Sequence, residues 1–253
     1  MSGRWIGKSG APGNVLQSGV FSLDEMNEAK LRKAWWTDPY WANVSALLHF
    51  DGTDASTTFT DEKGHTFTAV GNAQIDTAQS KWGGSSLLLD GSGDWIESAA
   101  SSDWSIPTGP WAIDGWVRIN SLAANVSLCS RRSGGTNGWA VEIGSDGSIY
   151  LRANIGGSWN DFWMHSATGV LTTGAWYYVG VKRVSSAWTI WVSGTQVASL
   201  TNAGSMSDEA QPLRIGSSNN SGEASFNGWI DDFRFTKADR DLSVVPTGPF
   251  PSP

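Results

Sequence analysis

Several residue types that many catalytic and binding proteins depend on are scarce in this sequence. The single cysteine, Cys129, rules out an intrachain disulfide. It lies in the apolar segment VSLCS, which predicts a buried and unreactive thiol. The three histidines, His49, His65 and His165, lack the spacing of metal ligands or of a Ser-His-Asp triad. We therefore expect each histidine at the surface or at the edge of a sheet.

Positive charge and long apolar segments are also scarce. The chain has 17 Lys and Arg against 24 Asp and Glu, for a net charge of −7. Because phosphate binding needs a surplus of Lys and Arg, we expect no nucleic-acid partner. No apolar run approaches the length of a membrane span, so we expect no membrane partner. The N-terminus also lacks the charged and then apolar pattern of a secretion signal.

Tryptophan and short strand-like segments, by contrast, are abundant. Sixteen tryptophans supply large, stiff rings, and we expect most of them in a core or at sheet edges. From about His49 to Lys237, short segments rich in β-branched and aromatic residues are bounded by Gly, Ser, Asn or Asp. The pairs Ser193-Gly194 and Asp146-Gly147 lie between such segments and predict hairpin turns. The whole pattern is typical of an antiparallel sandwich or barrel.

Residues 1–44 differ from the rest of the chain. The stretch MSGRWIGKSGAPGNVLQSG is glycine-rich without periodicity, and we predict that it cannot order itself. A helix is predicted next, with Ser22 as its N-cap and Glu25 completing a capping box. A helix of about fourteen residues is marginal alone in water. We expect this arm to dock on its own domain or, preferably, on neighbouring subunits, through Trp5, Phe21, Leu23, Met26, Leu31, Trp35 and Trp36.

The ordered set of segments resembles a laminin-G-like domain of the concanavalin-A-like jelly-roll superfamily. The resemblance implies an all-β, antiparallel jelly-roll β-sandwich over residues 45–240, followed by a proline-rich, extended tail over 241–253. One departure is Gly115, where the family has a bulky residue, which predicts a contact with a neighbour or a small packing defect. The matching pieces are HFDGTDAS (49–56), GNAQIDTAQSKWGGSSLLLDGSGDWIE (71–97), WAIDGWVRINS (111–121), WYYVGVKRV (176–184), WVSGTQVAS (191–199), LRIGSS (213–218) and FNGWIDDFRFTKADR (226–240).

The arm has a resemblance of its own. GVFSLDEMNEAKLRKAWW at 19–36 is similar to a short segment of bacteriophage virion proteins. Together the two resemblances imply a non-enzymatic virion structural protein: a head-decoration, head-fibre or tail-fibre subunit. Its arm would hold capsid or tail proteins, and it would form a homo-oligomer with the jelly roll projecting outward. The alternative is a freestanding carbohydrate-binding module of a cell-surface or secreted protein. A particle released by lysis would reconcile an extracellular kind of module with the missing secretion signal.

The superfamily also includes laminarinase-type glycosidases, which place two carboxylates with a Glu-x-Asp-x-x-Glu strand. No glutamate of this chain is followed two residues later by aspartate. We therefore predict no glycosidase activity by this route.

The resemblance further implies a structural calcium ion, which superfamily members frequently hold on the convex side. Carried over, Asp231 in GWIDDFRF is the candidate side chain, with backbone oxygens of Asp51 and Gly84. Since Asp231 and Asp232 alternate along a strand, only one of them can point to the ion. The alternative is that Asp231 caps a turn or faces solvent.

The segment GGSWNDFWMHS is loop-like and unusually aromatic. Sugar rings have apolar faces that stack on aromatic side chains, so we predict a site for host-surface polysaccharide here. A subunit interface would use the same residue types. The other alternative is a loop folded over the sheet with its aromatic rings buried. The candidate residues are Trp159, Asn160, Asp161, Phe162 and Trp163.

Overall fold

The computed structural model of the chain is almost entirely β. It divides into two units, Met1–Asn43 with Phe250–Pro253, and Val44–Pro249. No helix among the described residues has the length and apolar character that crossing a membrane requires. The structure describes residues 5–11, 15–21, 37–106, 108–133, 137–157, 161–207, 210–218 and 224–252.

The smaller unit contains an antiparallel hairpin of β1 (Trp5–Ala11) and β2 (Val15–Phe21). Trp5 lies opposite Phe21, so two of the predicted anchoring positions face each other across the ladder. The expectation that this glycine-rich stretch would not order itself is wrong. Its two halves satisfy each other's backbone groups, and Pro-Gly-Asn, a sequence that favours a turn, separates them. The helix predicted after Ser22, with Leu23, Met26, Leu31, Trp35 and Trp36, lies outside the described residues.

The larger unit is a sandwich of two sheets. One sheet has nine strands. Adjacent strands in it are antiparallel, except that β18 (Ala224–Ser225) runs parallel to β10. Its other strands, in spatial order, are β13 (Phe162–His165), β12 (Ile149–Ala153), β11 (Asn137–Ile143), β10 (Val126–Ser133), β17 (Leu213–Ile215), β8 (Trp95–Ser98), β5 (Thr66–Val70) and β4 (Phe59–Thr60).

The second sheet has eight strands and is antiparallel throughout. Its long central strands are contiguous in space although far apart in the chain. In spatial order they are β16 (Thr195–Thr201), β15 (Ala187–Val192), β14 (Trp176–Val184), β9 (Trp111–Ile119), β19 (Asn227–Thr236), β7 (Ser86–Asp90) and β6 (Gln74–Asp76), and β3 (Val44–Leu48) also pairs with β19. Two short 3₁₀ turns, η1 (Trp41–Asn43) and η2 (Ser102–Trp104), complete the described elements.

The core lies between the two sheets and is filled by large side chains. Along β15, Trp188, Ile190 and Val192 are buried and their neighbours are not, as alternation in a strand requires. Trp188 packs edge-on against Trp111 with ring centroids 5.8 Å apart. The predicted all-β antiparallel jelly-roll sandwich is confirmed.

The predicted hairpin turns are also present. Ser193 and Gly194 both have positive φ, 47° and 80°, and connect β15 to β16. This pair of left-handed residues matches the right-handed twist of the strands that it joins. Asp146 and Gly147 lie in the connection between β11 and β12.

Two further predictions concern the interior. Cys129 is fully buried, and burial raises the pKa of its thiol, which keeps the thiol neutral and unreactive. Gly115 lines a small apolar cavity between the sheets, together with Val117 and Leu128. A β-carbon at Gly115 would lie only 3.2 Å from the backbone oxygen of Asp232 and 3.3 Å from the α-carbon of Phe233, so the close approach of β19 accounts for the glycine.

Candidate functional site

The exposed aromatic group nearest to the predicted glycan segment is Trp163, on the edge strand β13. Phe162 and Met164 of this strand face the core, and Trp163 and His165 face outward. Trp163 is 56% exposed, whereas the core tryptophans Trp111 and Trp188 are completely buried. The sequence analysis treated this segment as loop-like, whereas residues 162–165 are a strand paired with β12.

Side chains of β12 and β13 hold the Trp163 ring in place. The Arg152 guanidinium carbon lies 5.2 Å from the centroid of the Trp163 ring, since the two residues are cross-strand partners. The rings of His165 and Tyr150 lie 5.1 and 6.4 Å from it. Arg152 also pairs with Glu142 of β11, with 3.4 Å between Nε and Oε2. The exposed Trp163 ring therefore packs against an arginine whose charge is balanced by a glutamate.

A second group of the same composition lies farther along the same outward face. The Arg214 guanidinium carbon is 4.9 Å from the Trp95 ring, and Arg214 Nε is 2.9 Å from Glu97 Oε2. The Trp95 indole donates to the same carboxylate oxygen at 3.0 Å. We call these groups the two Trp-Arg-Glu units of the nine-stranded sheet. The first consists of Trp163, Arg152 and Glu142, and the second of Trp95, Arg214 and Glu97.

Chemically, the first unit can bind a sugar. An exposed indole offers a flat apolar surface for the C–H face of a pyranose or furanose ring. Beside it, Arg152 can donate to sugar hydroxyls and exposed His165 can donate or accept. Because Arg152 and Glu142 balance each other, the unit suits a neutral sugar better than a charged one.

The five predicted glycan residues do not form one cluster. Trp163 and Asp161 are exposed, and Trp159 and Asn160 lie outside the described residues. Phe162 is 1% exposed, and its ring lies 4.5 Å from that of Trp188 in the core. Its side chain is thus unavailable to a ligand, because inward and outward positions alternate along β13.

Sequence analysis missed the residues around Trp163. Tyr150 and Arg152 reach Trp163 only through the pairing of β12 with β13, and His165 lies two residues along β13 on the same face. One signal was present: Phe162, Trp163 and Met164 form a short aromatic and apolar run between polar residues, which is consistent with a strand.

The predicted calcium residues lie at or beside the loop at residues 81–84, which precedes β7. Asp231 Oδ2 accepts hydrogen bonds from the backbone N–H groups of Lys81 and Trp82, at 2.7 and 3.0 Å. The Asp51 carboxylate lies against Gly83, where a β-carbon would overlap it. This loop is therefore in contact with both Asp51 and Asp231, and Gly84 follows within it.

Asp231 is a buried carboxyl group with one unsatisfied oxygen. Its side chain is fully buried, and its Oδ1 has no hydrogen-bond partner among the described residues. Burial raises the pKa of Asp231 to about 7, although the two amide donors act in the opposite direction. A hard cation at Oδ1 would satisfy this atom, so the residues present fit a calcium ion. Among the described residues, no group of three or more His, Cys, Asp and Glu side chains forms a metal site, so backbone oxygens would supply most ligands.

Asp232, the next residue along β19, contacts a different group. It has a φ of 49° at an irregularity of β19, and its Oδ1 lies 2.5 Å from His49 Nδ1. The two adjacent aspartates thus have different hydrogen-bond partners, the loop at 81–82 for Asp231 and His49 for Asp232.

Two histidines make contacts that the sequence did not predict. His49 is paired with Asp232, and His65 lies between Asp61 at 2.7 Å and Asp103 at 2.9 Å. Both side chains are partly exposed, at 17% and 21%, and the sequence analysis did not predict their aspartate partners. Their partners are distant in sequence, up to 183 residues away for His49, and no spacing pattern announces them.

A family model described as the Concanavalin A-like lectin/glucanases superfamily matches residues 90–242. A search of curated proteins found no match.

Solved structures with the same fold include domain 4 of AbnA, an extracellular GH43 arabinanase from Geobacillus stearothermophilus, in complex with arabinotriose. The TM-score is 0.61 at 18% identity, over 79% of this chain and 95% of that one. The binding domain of Paraclostridial Mosquitocidal Protein 1 gives 0.61 at 14% identity, over 81% and 51%. The binding domain of Botulinum Neurotoxin DC in complex with SialylT gives 0.57 at 13% identity, over 79% and 49%. The chain spans about half the length of the two toxin domains, and at these identities the likeness concerns the fold.

Proposed function

Since this chain belongs to the Concanavalin A-like lectin/glucanases superfamily, we propose that it is a non-catalytic module that binds a neutral glycan of a host surface through Trp163. The observation that carries the proposal is the exposed Trp163 ring, held by Arg152 on a charge-balanced support. The similar domain 4 of AbnA was solved with arabinotriose, which agrees with sugar binding on this fold.

The test is a calorimetric titration with a panel of neutral oligosaccharides that includes arabinotriose. We expect Trp163→Ala to weaken binding of the best ligand about thirtyfold, which corresponds to about 2 kcal/mol for a central aromatic contact. Leu200→Ala, which shortens another exposed apolar side chain on β16, is the matched control and should bind normally. Equal affinity of Trp163→Ala and the wild type would reject this site.

The broader role that we propose is that of a bacteriophage virion component, either a head decoration or fibre or a tail-fibre subunit. In this proposal the module is displayed as a homo-oligomer on the extracellular particle. Residues 1–43 would attach it to capsid or tail proteins. The proposal rests on the resemblance inferred from the sequence of segment 19–36, and it agrees with the assignment of Met1–Asn43 to a different unit from the sandwich.

Deletion of residues 1–43 separates the virion role from the freestanding lectin. In a virion component, the shortened chain should keep its glycan affinity and fail to join particles. If it joins particles at the level of the full chain, the attachment role is rejected. A freestanding lectin would never be found in purified particles.

We also propose a structural calcium ion held by Asp231 Oδ1 with backbone oxygens of Asp51 and Gly84. The ion would neutralise a buried carboxylate and join the loop at 81–84 to the segment after β3. The unpartnered Oδ1 atom supports this proposal.

A further inference from the structure

The outward face of the eight-stranded sheet carries a row of aromatic and cationic side chains. Arg118 on β9 lies directly opposite Trp176 on β14 and Trp229 on β19. Its strand neighbours Val117 and Ile119 belong to the core, so Arg118 and both rings project from the other face. All three side chains are partly exposed.

The adjacent row continues the same composition. Trp116, two residues before Arg118 on β9, has the ammonium group of Lys81 4.0 Å from its ring centroid. The same ammonium group lies 5.1 Å from the Trp82 ring, which meets Trp116 edge-on at 6.2 Å. We call this surface the Trp-cation platform, and its members are Lys81, Trp82, Trp116, Arg118, Trp176 and Trp229.

The two cations of the platform contact aromatic rings. Within the part of the chain that the structure describes, no Asp or Glu lies at salt-bridge distance from Lys81 or Arg118. Arg118 lies 5.4 Å from the centroid of the Trp229 ring instead. Two carboxyl groups border the platform: Asp76 accepts from the Trp229 indole at 2.6 Å, and buried Asp231 accepts from the backbone N–H groups of Lys81 and Trp82.

Three other arginines differ from this arrangement, because Arg152, Arg214 and Arg234 each have a carboxylate partner. Cations that rest on aromatic rings are held in place and keep their charge for an incoming anion. Aromatic faces beside such cations suit a ligand with both ring faces and carboxylates.

We propose that the Trp-cation platform is a second binding site, which takes an acidic polysaccharide composed of uronic acid units. Sugar rings would stack on Trp176 and Trp229, which are two strand spacings apart, about 10 Å. A sugar carboxylate between them would meet Arg118, and a carboxylate farther along the chain would meet Lys81. The platform belongs to the other sheet from Trp163, so it does not depend on the site proposed above.

The experiment is calorimetry of the full chain with an oligogalacturonide and with a neutral galactose oligomer of the same length. The acidic oligomer should bind at least about tenfold more tightly than the neutral one. Its affinity should fall as salt is added. Arg118→Gln and Lys81→Gln, measured in parallel, should each weaken it about tenfold. Two controls should leave the affinity for the acidic oligomer unchanged. Lys63→Gln removes the same charge in the turn between β4 and β5, and Trp163→Ala alters the other sheet.

Several results would overturn the proposal. Equal binding of the acidic and neutral oligomers would remove the role of charge. Unchanged affinity in both Arg118→Gln and Lys81→Gln, or an equal loss in Lys63→Gln, would remove the role of the platform. Loss of acidic-oligomer binding in Trp163→Ala would place the ligand on the other sheet. Binding of a single-stranded oligonucleotide without binding of the oligogalacturonide would indicate a different class of partner.

Discussion

The outward faces of the two sheets use arginine and tryptophan in different ways. On the nine-stranded sheet, Arg152 and Arg214 each contact a tryptophan ring and also a glutamate. On the eight-stranded sheet, Arg118 contacts a tryptophan ring, and no carboxylate among the described residues pairs with it. The same pair of residue types thus forms a neutral surface on one side and a cationic surface on the other. The carboxylate, rather than the aromatic ring, decides which charge a ligand should carry.

The largest expected effect separates the outward face of β13 from its inward face. Phe162→Ala should lower the free energy of unfolding by about 4 kcal/mol, because it leaves a cavity beside Trp188 in the core. Trp163→Ala should change it by less than about 1 kcal/mol, since that ring is mostly exposed. Urea unfolding of both variants measures the contrast. Similar losses in the two variants would mean that Trp163 is a packing residue.

The next effect compares the paired and unpaired arginines directly. Arg152→Gln should lower the free energy of unfolding by about 2 kcal/mol, because it takes the ion-pair partner from the buried carboxylate of Glu142. Arg118→Gln should stay within about 0.5 kcal/mol of the wild type. Chemical denaturation of the two variants tests this. A larger loss for Arg118→Gln would show that the platform cation is structural and would weaken the contrast between the faces.

A smaller effect concerns calcium at the loop over the eight-stranded sheet. Calcium at ten times its dissociation constant should stabilise the wild type by about 1.4 kcal/mol and leave Asp231→Asn unaffected. Asp54→Asn is the matched control, since its amide oxygen can still accept from the backbone of Thr77. Thermal unfolding with calcium and then with a chelator gives the result. Equal calcium responses in Asp231→Asn and the wild type would exclude Asp231 as a ligand.

The smallest effect is a pH dependence at the edge of the nine-stranded sheet. Burial opposes protonation of His65, but hydrogen bonds to Asp103 and Asp61 outweigh it and raise the pKa of the ring above its ordinary value of 6.5. A group with a raised folded-state pKa contributes stability below its unfolded pKa and loses that contribution as the pH rises through the folded value. The free energy of unfolding should therefore fall as the pH rises above 6.5.

The His65→Asn variant isolates this contribution. Its stability should change less between pH 6 and 9 than that of the wild type, in unfolding experiments analysed at each pH. His49 has a raised pKa as well, so some pH dependence should remain. Parallel curves for the variant and the wild type would show that His65 contributes nothing to it.

Local pattern was sufficient to predict most of the sandwich. The alternation in AWTIWV and the turn at Ser193-Gly194 identified β15 and β16, because both signals lie within a few neighbouring residues. The short strands β4 and β6, of two and three residues, carry too little pattern to be recognised. The hairpin β1–β2 was missed because glycine and polar residues obscured its alternation.

Only part of the candidate site could be predicted, because its residues come from segments that are distant in the sequence. Trp163 was recognised as a binding candidate from its composition, but its partner Arg152 is set by strand register, which a single sequence does not specify. The same holds for Arg118, whose two tryptophans come from strands at 176 and 229. Phe162 was named a candidate because the segment was treated as a loop, whereas in the strand β13 inward and outward positions alternate.

The most direct test of glycan binding is an NMR titration that follows the indole N–H resonances of the tryptophans as a neutral oligosaccharide is added. The assignment of the Trp163 resonance comes from its absence in Trp163→Ala. We predict that the Trp163 indole shifts first and saturates with the ligand, while the indoles of buried Trp111 and Trp188 stay in place. An unchanged Trp163 resonance, with ligand bound and other indoles shifted, would contradict the account.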